Sequence, residues 1–231
     1  MEIRRSALDI ESLAVPETAG YGIIIPNFAF VVIPDAPLTD HLEYLYVQCP
    51  IQAQIDEGLS ISASTMQFWF DYCQRNFPGA KDEMMKSFDL TSLKIHTNNK
   101  NISDSTQYLP HVIHQFVYGT SYGENNTAPH EVYGNGCNFD CSILQENQRV
   151  MYGNGKLWEY TAPQNARTLK GRLNDAQVQE MNGIVKTTLS AFVQNLDGAL
   201  GVMELHHPLY DAAREALQIS YCLTVLDQNK D

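Results

Sequence analysis

The residues best placed to do chemistry cluster between His111 and Asp140–Cys141. Cys141 follows a glycine-rich stretch, Gly134-Asn135-Gly136. A thiol at such a turn, with a histidine elsewhere, is the minimum for a nucleophilic hydrolase. His114 and His130 are the candidate bases and Asp140 the candidate carboxylate. Glu124 and Glu131 flank the same stretch and could converge with Asp140 as a second acidic group. The catalytic set read from the sequence is therefore Cys141, His114, His130 and Asp140.

Asp140-Cys141-Ser142 resembles the nucleophile motif of NlpC/P60-type peptidases. A glycine normally follows the serine there, whereas Ile143 follows here, and His206 or His207 would have to supply that family's histidine. No metal set is expected. His111 and His114 lie in a stretch read as a strand, where residues three apart point to opposite faces. His206 and His207 are adjacent and have the same difficulty. Cys137 and Cys141 find no two further ligands at zinc spacing. No Walker loop, G-x-G-x-x-G or H-E-x-x-H is present, so no cofactor is expected.

A second group of side chains could bind rather than react. Tyr133-Gly-Asn135-Gly and Tyr152-Gly-Asn154-Gly repeat one motif, and Trp158 follows the second copy. Tyr and Trp give large contact area at low entropy cost. The candidate binding residues are Tyr122, Tyr133, Asn135, Tyr152, Asn154 and Trp158.

These side chains need elements to hold them. Gly153-Asn154-Gly155 separates two strand-like runs, a hairpin signature over 150–160. Short strands are expected at Gly22–Ile25, Phe28–Ile33, His41–Cys49, Leu93–Thr97 and Tyr108–Tyr118. A helix is expected over Ser64–Phe77, where Met66, Trp69, Phe70, Cys73 and Phe77 form one stripe. A short helix follows from Ala80 to Phe88. The clearest element is a long amphipathic helix from Asp175 to Leu196. Asn174 caps it, and Val178, Met181, Val185, Leu189, Phe192 and Leu196 share its apolar face. The last segment reads as a helix from Pro208 to about Leu217, then a strand. Residues 1–20 read as a polar arm with a short helix from Ser6 to Leu13. The order argues α+β: a largely antiparallel sheet with helices packed on one face, in a single domain over 1–231.

Net charge is −12, from 27 acidic and 15 basic residues, with no basic cluster. That argues against a nucleic-acid partner. The longest apolar run, Tyr21–Ile33, is interrupted by Pro26-Asn27 and is too short to span a bilayer. The start of the chain lacks a secretory apolar core. Five scattered cysteines fit a reducing, cytoplasmic setting. The function expected from these features is non-catalytic: an acidic domain that binds a protein partner or self-associates as a homo-oligomer. The alternatives are a hydrolase with a Cys/His or His/carboxylate site in 111–141, and a membrane-active, pore-forming protein.

Overall fold

The computed structural model describes residues 3–102, 108–119, 130–153, 156–196 and 198–228. Six strands form one sheet: β1 (Arg4–Glu11), β2 (Asn27–Val32), β3 (Tyr44–Gln48), β4 (Lys94–Thr97), β5 (His130–Gly134) and β6 (Pro163–Asn165), in the order β4-β3-β2-β1-β5-β6. The pairings β1–β2, β2–β3 and β3–β4 are antiparallel, whereas β1–β5 and β5–β6 are parallel. The helices in chain order are α1 (Pro16–Ala19), α2 (Ile51–Asp56), α3 (Ala63–Gln67), α4 (Gln74–Asn76), α5 (Pro78–Lys86), α6 (Leu109–Tyr118), α7 (Cys137–Tyr152), α8 (Ala166–Lys170), α9 (Asp175–Gln194) and α10 (Pro208–Gln228). A π-helical turn, Phe68–Cys73, joins α3 to α4.

The α+β class holds, with a mixed sheet covered on both faces. Ala7, Ala29, Val31, Tyr46 and Tyr133 pack under α9 and α10. Leu8, Ile10, Phe30, Val47 and Val132 pack against α6 and α7. Alternation along each strand divides the two cores. A third cluster, built around Leu13, Ile24, Trp69 and Met84, lies beyond the end of β1. The long helix forms over Asp175–Gln194 with a complete Asn174–Gln177 capping box, and Met181, Val185, Leu189 and Phe192 are buried. Among the described residues no helix is long and apolar enough to cross a membrane.

Five expectations fail, four of them for identifiable reasons. Residues 4–11, read as part of a polar arm, form β1 between β2 and β5. Asp9 and Glu11 gave the stretch its polar look. Tyr108–Tyr118 is helical, and Leu109, Val112, Ile113, Phe116 and Val117 are its buried stripe. The alternation of Val112, His114, Phe116 and Tyr118 sampled the same residues at the wrong period. The hairpin over 150–160 is absent: α7 runs to Tyr152, and Gly153 ends it at φ +70°. Glycine at positive φ serves a helix stop as well as a hairpin turn. Asn154 lies outside the described residues. Finally, the helix begun at Pro208 continues to Gln228, because Leu217, Ile219, Ser220, Tyr221 and Cys222 are buried by the sheet and α9. Gly22–Ile25 forms only one isolated bridge, Ile23 to Ser60.

Candidate active site

Residues two apart on a strand share a face. Asp9 and Glu11 therefore project together from the last turn of pleat on β1, on the face that carries α10. Parallel pairing sets β5 beside β1, with Leu8 opposite Gly134. The chain leaves β5 through Gly134-Asn135-Gly136 and enters α7, which places Asp140 in that helix's first turn. A Cβ on Gly134 would stand 2.8 Å from Asp140 Oδ2, so glycine is what lets the carboxyl lie against the strand. The Gly136 amide donates to Asp140 Oδ2 at 3.4 Å. Asp140 is 6% exposed.

The fourth acid comes from the other end of the chain. Asp211 sits in the first turn of α10, and its Oδ2 accepts the His206 amide at 2.8 Å. His206 has φ +67°, the only positive value for a non-glycine residue among those described. That backbone strain, commonly about 1–3 kcal/mol, is typical of functional positions. It sends two neighbouring histidines opposite ways. His207 is fully buried; its Nδ1 accepts the Leu209 amide, so Nε2 carries the proton and donates to Leu200 O at 3.0 Å. His206 turns into the cleft, against the rings of Phe68 and Phe77 at 5.3 and 5.1 Å. Phe68 opens the π-helical turn, an irregularity that recurs at functional sites.

Ligand atoms of Glu11, His206 and Asp211 all lie within 4.8 Å of one another. Asp9 and Asp140 line the same cleft, which has a volume of about 490 Å³. Crowding shows in the titration of these groups. Burial, then Asp211, Glu11, Asp140 and Glu215, raise the Asp9 carboxyl well above its usual range. Burial, then Asp211 and Asp140, do the same to Glu11. Asp140 is pushed up to about 7, chiefly by burial, against the pull of amides at Gly136, Asp140 and Ile10. Burial also raises Asp211, although Arg214, with Nη2 3.0 Å away, opposes it. Burial lowers His206, which favours the neutral ring. Four mutually repelling carboxyls are a poor arrangement for the protein alone. They are a good one for a hard divalent cation, which takes oxygen ligands and offsets the repulsion.

Of the catalytic set read from sequence, only Asp140 reaches this cleft. Cys141 is buried in α7 with Sγ 3.9 Å from Val132 O; burial, then Asp140, raise its thiol well above the usual value. That disfavours the thiolate a nucleophile needs, so the peptidase resemblance has no structural counterpart. His130 pairs with Arg4 at the far end of β5, about 13 Å along the strand from Gly134 by the 3.3 Å rise per residue. His114 stacks on Tyr118 at 4.2 Å, and Tyr118 meets His130 at 4.0 Å.

The candidate binding residues are similarly dispersed. Tyr133 is buried, with its hydroxyl donating to Glu131. Tyr152 packs edge-on to Tyr108, and Trp158 is buried against Phe30. Asn135 lines the cleft and accepts from Lys170 Nζ at 3.2 Å. Tyr122 and Asn154 lie outside the described residues. The sequence reading passes over Asp9, Glu11 and Asp211, and weighs His206 only as interchangeable with His207. Their signal was present but faint: two acids alternating in a strand, and a histidine five residues before an acid at a helix start.

The fold and cleft define a protein that gathers four acids and a neutral histidine at the ends of adjoining parallel strands. The chain belongs to the family of the 3′–5′ exoribonuclease Rv2179c-like domain, whose model matches residues 8–223. No curated protein and no solved structure matches the chain significantly. The family overturns two expectations, a non-catalytic protein-binding or oligomeric function and the exclusion of nucleic acid as a partner. The hydrolase alternative stands nearer to this family than the non-catalytic reading does.

Proposed function

We propose that the protein is a cation-dependent exoribonuclease that removes nucleotides from the 3′ end of RNA. The convergence of Asp9, Glu11, Asp140, Asp211 and His206 in one cleft carries this reading, and the family match supports it. Asp9, Glu11, Asp140 and Asp211 would hold the divalent cation. When bound, it supplies charge neutralisation and Lewis-acid activation at phosphate and water. His206, neutral and at the cleft, accepts the proton of the attacking water. Water oxygen bonds to the terminal phosphorus, the bond to the preceding O3′ breaks, and that O3′ takes a proton from solvent to leave as a hydroxyl. The products are a nucleoside 5′-monophosphate and an RNA one residue shorter. We place the protein in the cytoplasm, in keeping with five cysteines that form no disulfide.

The test is digestion of a 5′-labelled single-stranded RNA with Mg²⁺ or Mn²⁺. The expected products shorten one residue at a time from the 3′ end, and EDTA stops the reaction. Asp9→Asn and Asp211→Asn each lower kcat by about 10²–10³-fold or more, the scale of losing one electrostatic partner of the transition state. Internal cuts, or an Asp9→Asn protein with full activity, would exclude this assignment.

A further inference from the structure

An acidic nuclease must hold a polyanion, and here few cations are free to do so. Among the described residues, nine of the Lys and Arg side chains are committed to ion pairs: Arg4, Arg5, Arg75, Lys81, Lys86, Arg149, Lys156, Lys170 and Arg214. Two arginines line the carboxylate cleft, Arg167 and Arg214. Arg214 is spent on Asp211. Lys170, one turn beyond Arg167, is held by Glu215, Gln218 and Asn135. Arg167 is exposed, and no acidic partner engages its guanidinium among the described residues. Its position is fixed from the backbone, where its amide donates to the Asn165 cap at 3.0 Å. An exposed arginine that lines a cleft of carboxyls, yet is paired with none of them, is suited to a phosphate.

We propose that Arg167 grips one substrate phosphate beside the carboxylate cluster and is, among the described residues, the cleft's sole free cationic hold. With a single such hold, the enzyme gains little from a longer RNA. This rests on the nuclease reading. The net charge of −12 points the same way, because phosphates beyond the cleft meet an acidic surface. The chemistry also fixes the scale of the salt response. Single-strand binding weakens with a log–log slope of about −0.7 per phosphate neutralised. One contact gives a slope near −0.7, and a basic track of six gives about −4.

Two measurements test the grip. The first is calorimetric titration of AMP and of adenosine, with Mg²⁺ present, into the wild-type, Arg167→Ala and Arg167→Lys proteins. The second is kcat/KM against salt for a trinucleotide and a 20-nucleotide RNA. Arg167→Ala should weaken AMP about 10- to 100-fold, the range of a lost charge-assisted contact, and leave adenosine unchanged. Arg167→Lys should lie between. The two RNAs should give kcat/KM within about threefold of each other, with a slope near −0.7. AMP binding indifferent to Arg167, a tenfold gain with length, or a slope steeper than about −3 overturns the proposal. Failure of both RNAs to be cut, with AMP binding still dependent on Arg167, would refute the nuclease reading and leave the grip standing.

Discussion

His206 carries a positive φ, a lowered pKa and two aromatic rings against its imidazole, and each feature keeps it neutral and aimed. Its backbone also serves the site, since its amide satisfies Asp211. Replacing only the side chain separates the two duties. His206→Gln keeps that amide and removes the base, so kcat should fall about 10²–10⁴-fold with KM changed little. At a cation concentration that saturates the cleft throughout the pH range, the wild-type kcat should rise with pH as the imidazolium deprotonates, with its midpoint below the ordinary histidine value, and the variant should lack that limb. A variant that retains kcat would remove the base from His206. The sequence concealed this pair because His206 and His207 look interchangeable. Only the reversed backbone at His206 separates a cleft residue from a core one, and φ is not written in a residue's type. Asp9 and Glu11 hid for a related reason. Functional acids in a central strand break the apolar pattern by which such a strand is recognised.

At the scale of elements, the site depends on segments far apart in sequence being held at fixed heights above the sheet. The stretch ahead of α10 is tied to α5, where Glu204 accepts the Ala80 amide at 2.9 Å and Gly201 lies over Glu83, a buried carboxylate. That carboxylate accepts from the Tyr46 hydroxyl at 2.9 Å, Gln48 Nε2 at 2.7 Å and Lys86 Nζ at 2.5 Å. Gly201 passes directly over it at φ +82°, where a Cβ would overlap the Glu83 carboxylate. Gly201→Ala combines a disfavoured φ with that overlap and should cost about 1–3 kcal/mol. At 2–4 °C per kcal/mol for a chain of this size, Tm should drop by about 2–12 °C. Activity should fall too, because His206 lies five residues on. Gly198→Ala meets nothing within 4 Å and should leave both unchanged. Equal behaviour of the two variants would deny the anchor. Elements with one strong period were legible: α9 was readable to its cap. Those whose apolar residues fit two periods, such as α6, were not, because tertiary burial decides between the periods.

For the whole molecule, the acidic cleft is a store of repulsion that links stability to pH and to cations. Asp9 and Glu11 have pKa values raised well above the usual range, and Asp140 is raised to about 7, whereas the same groups in the unfolded chain titrate near 4. Between those limits the native state holds more protons than the unfolded state. These groups therefore stabilise the cation-free protein at low pH, and that contribution is lost as pH rises from about 4 through about 7 for Asp140 and through the raised values of Asp9 and Glu11. A divalent cation competes with those protons, so its effect has the opposite trend. After removal of metal with EDTA, added Mn²⁺ at about 100 times its Kd should stabilise the protein at pH 8 by about 2.7 kcal/mol. That corresponds to a Tm rise of roughly 5–10 °C. At pH 5.5 the same addition should give a much smaller shift. Asp9→Asn removes one of the repelling charges. It should raise the Tm of the cation-free protein at pH 8 and blunt the Mn²⁺ response, so that one substitution stabilises the fold while disabling the enzyme. An Mn²⁺ shift that is the same at both pH values, or unaltered by Asp9→Asn, would place cation binding somewhere other than this cleft.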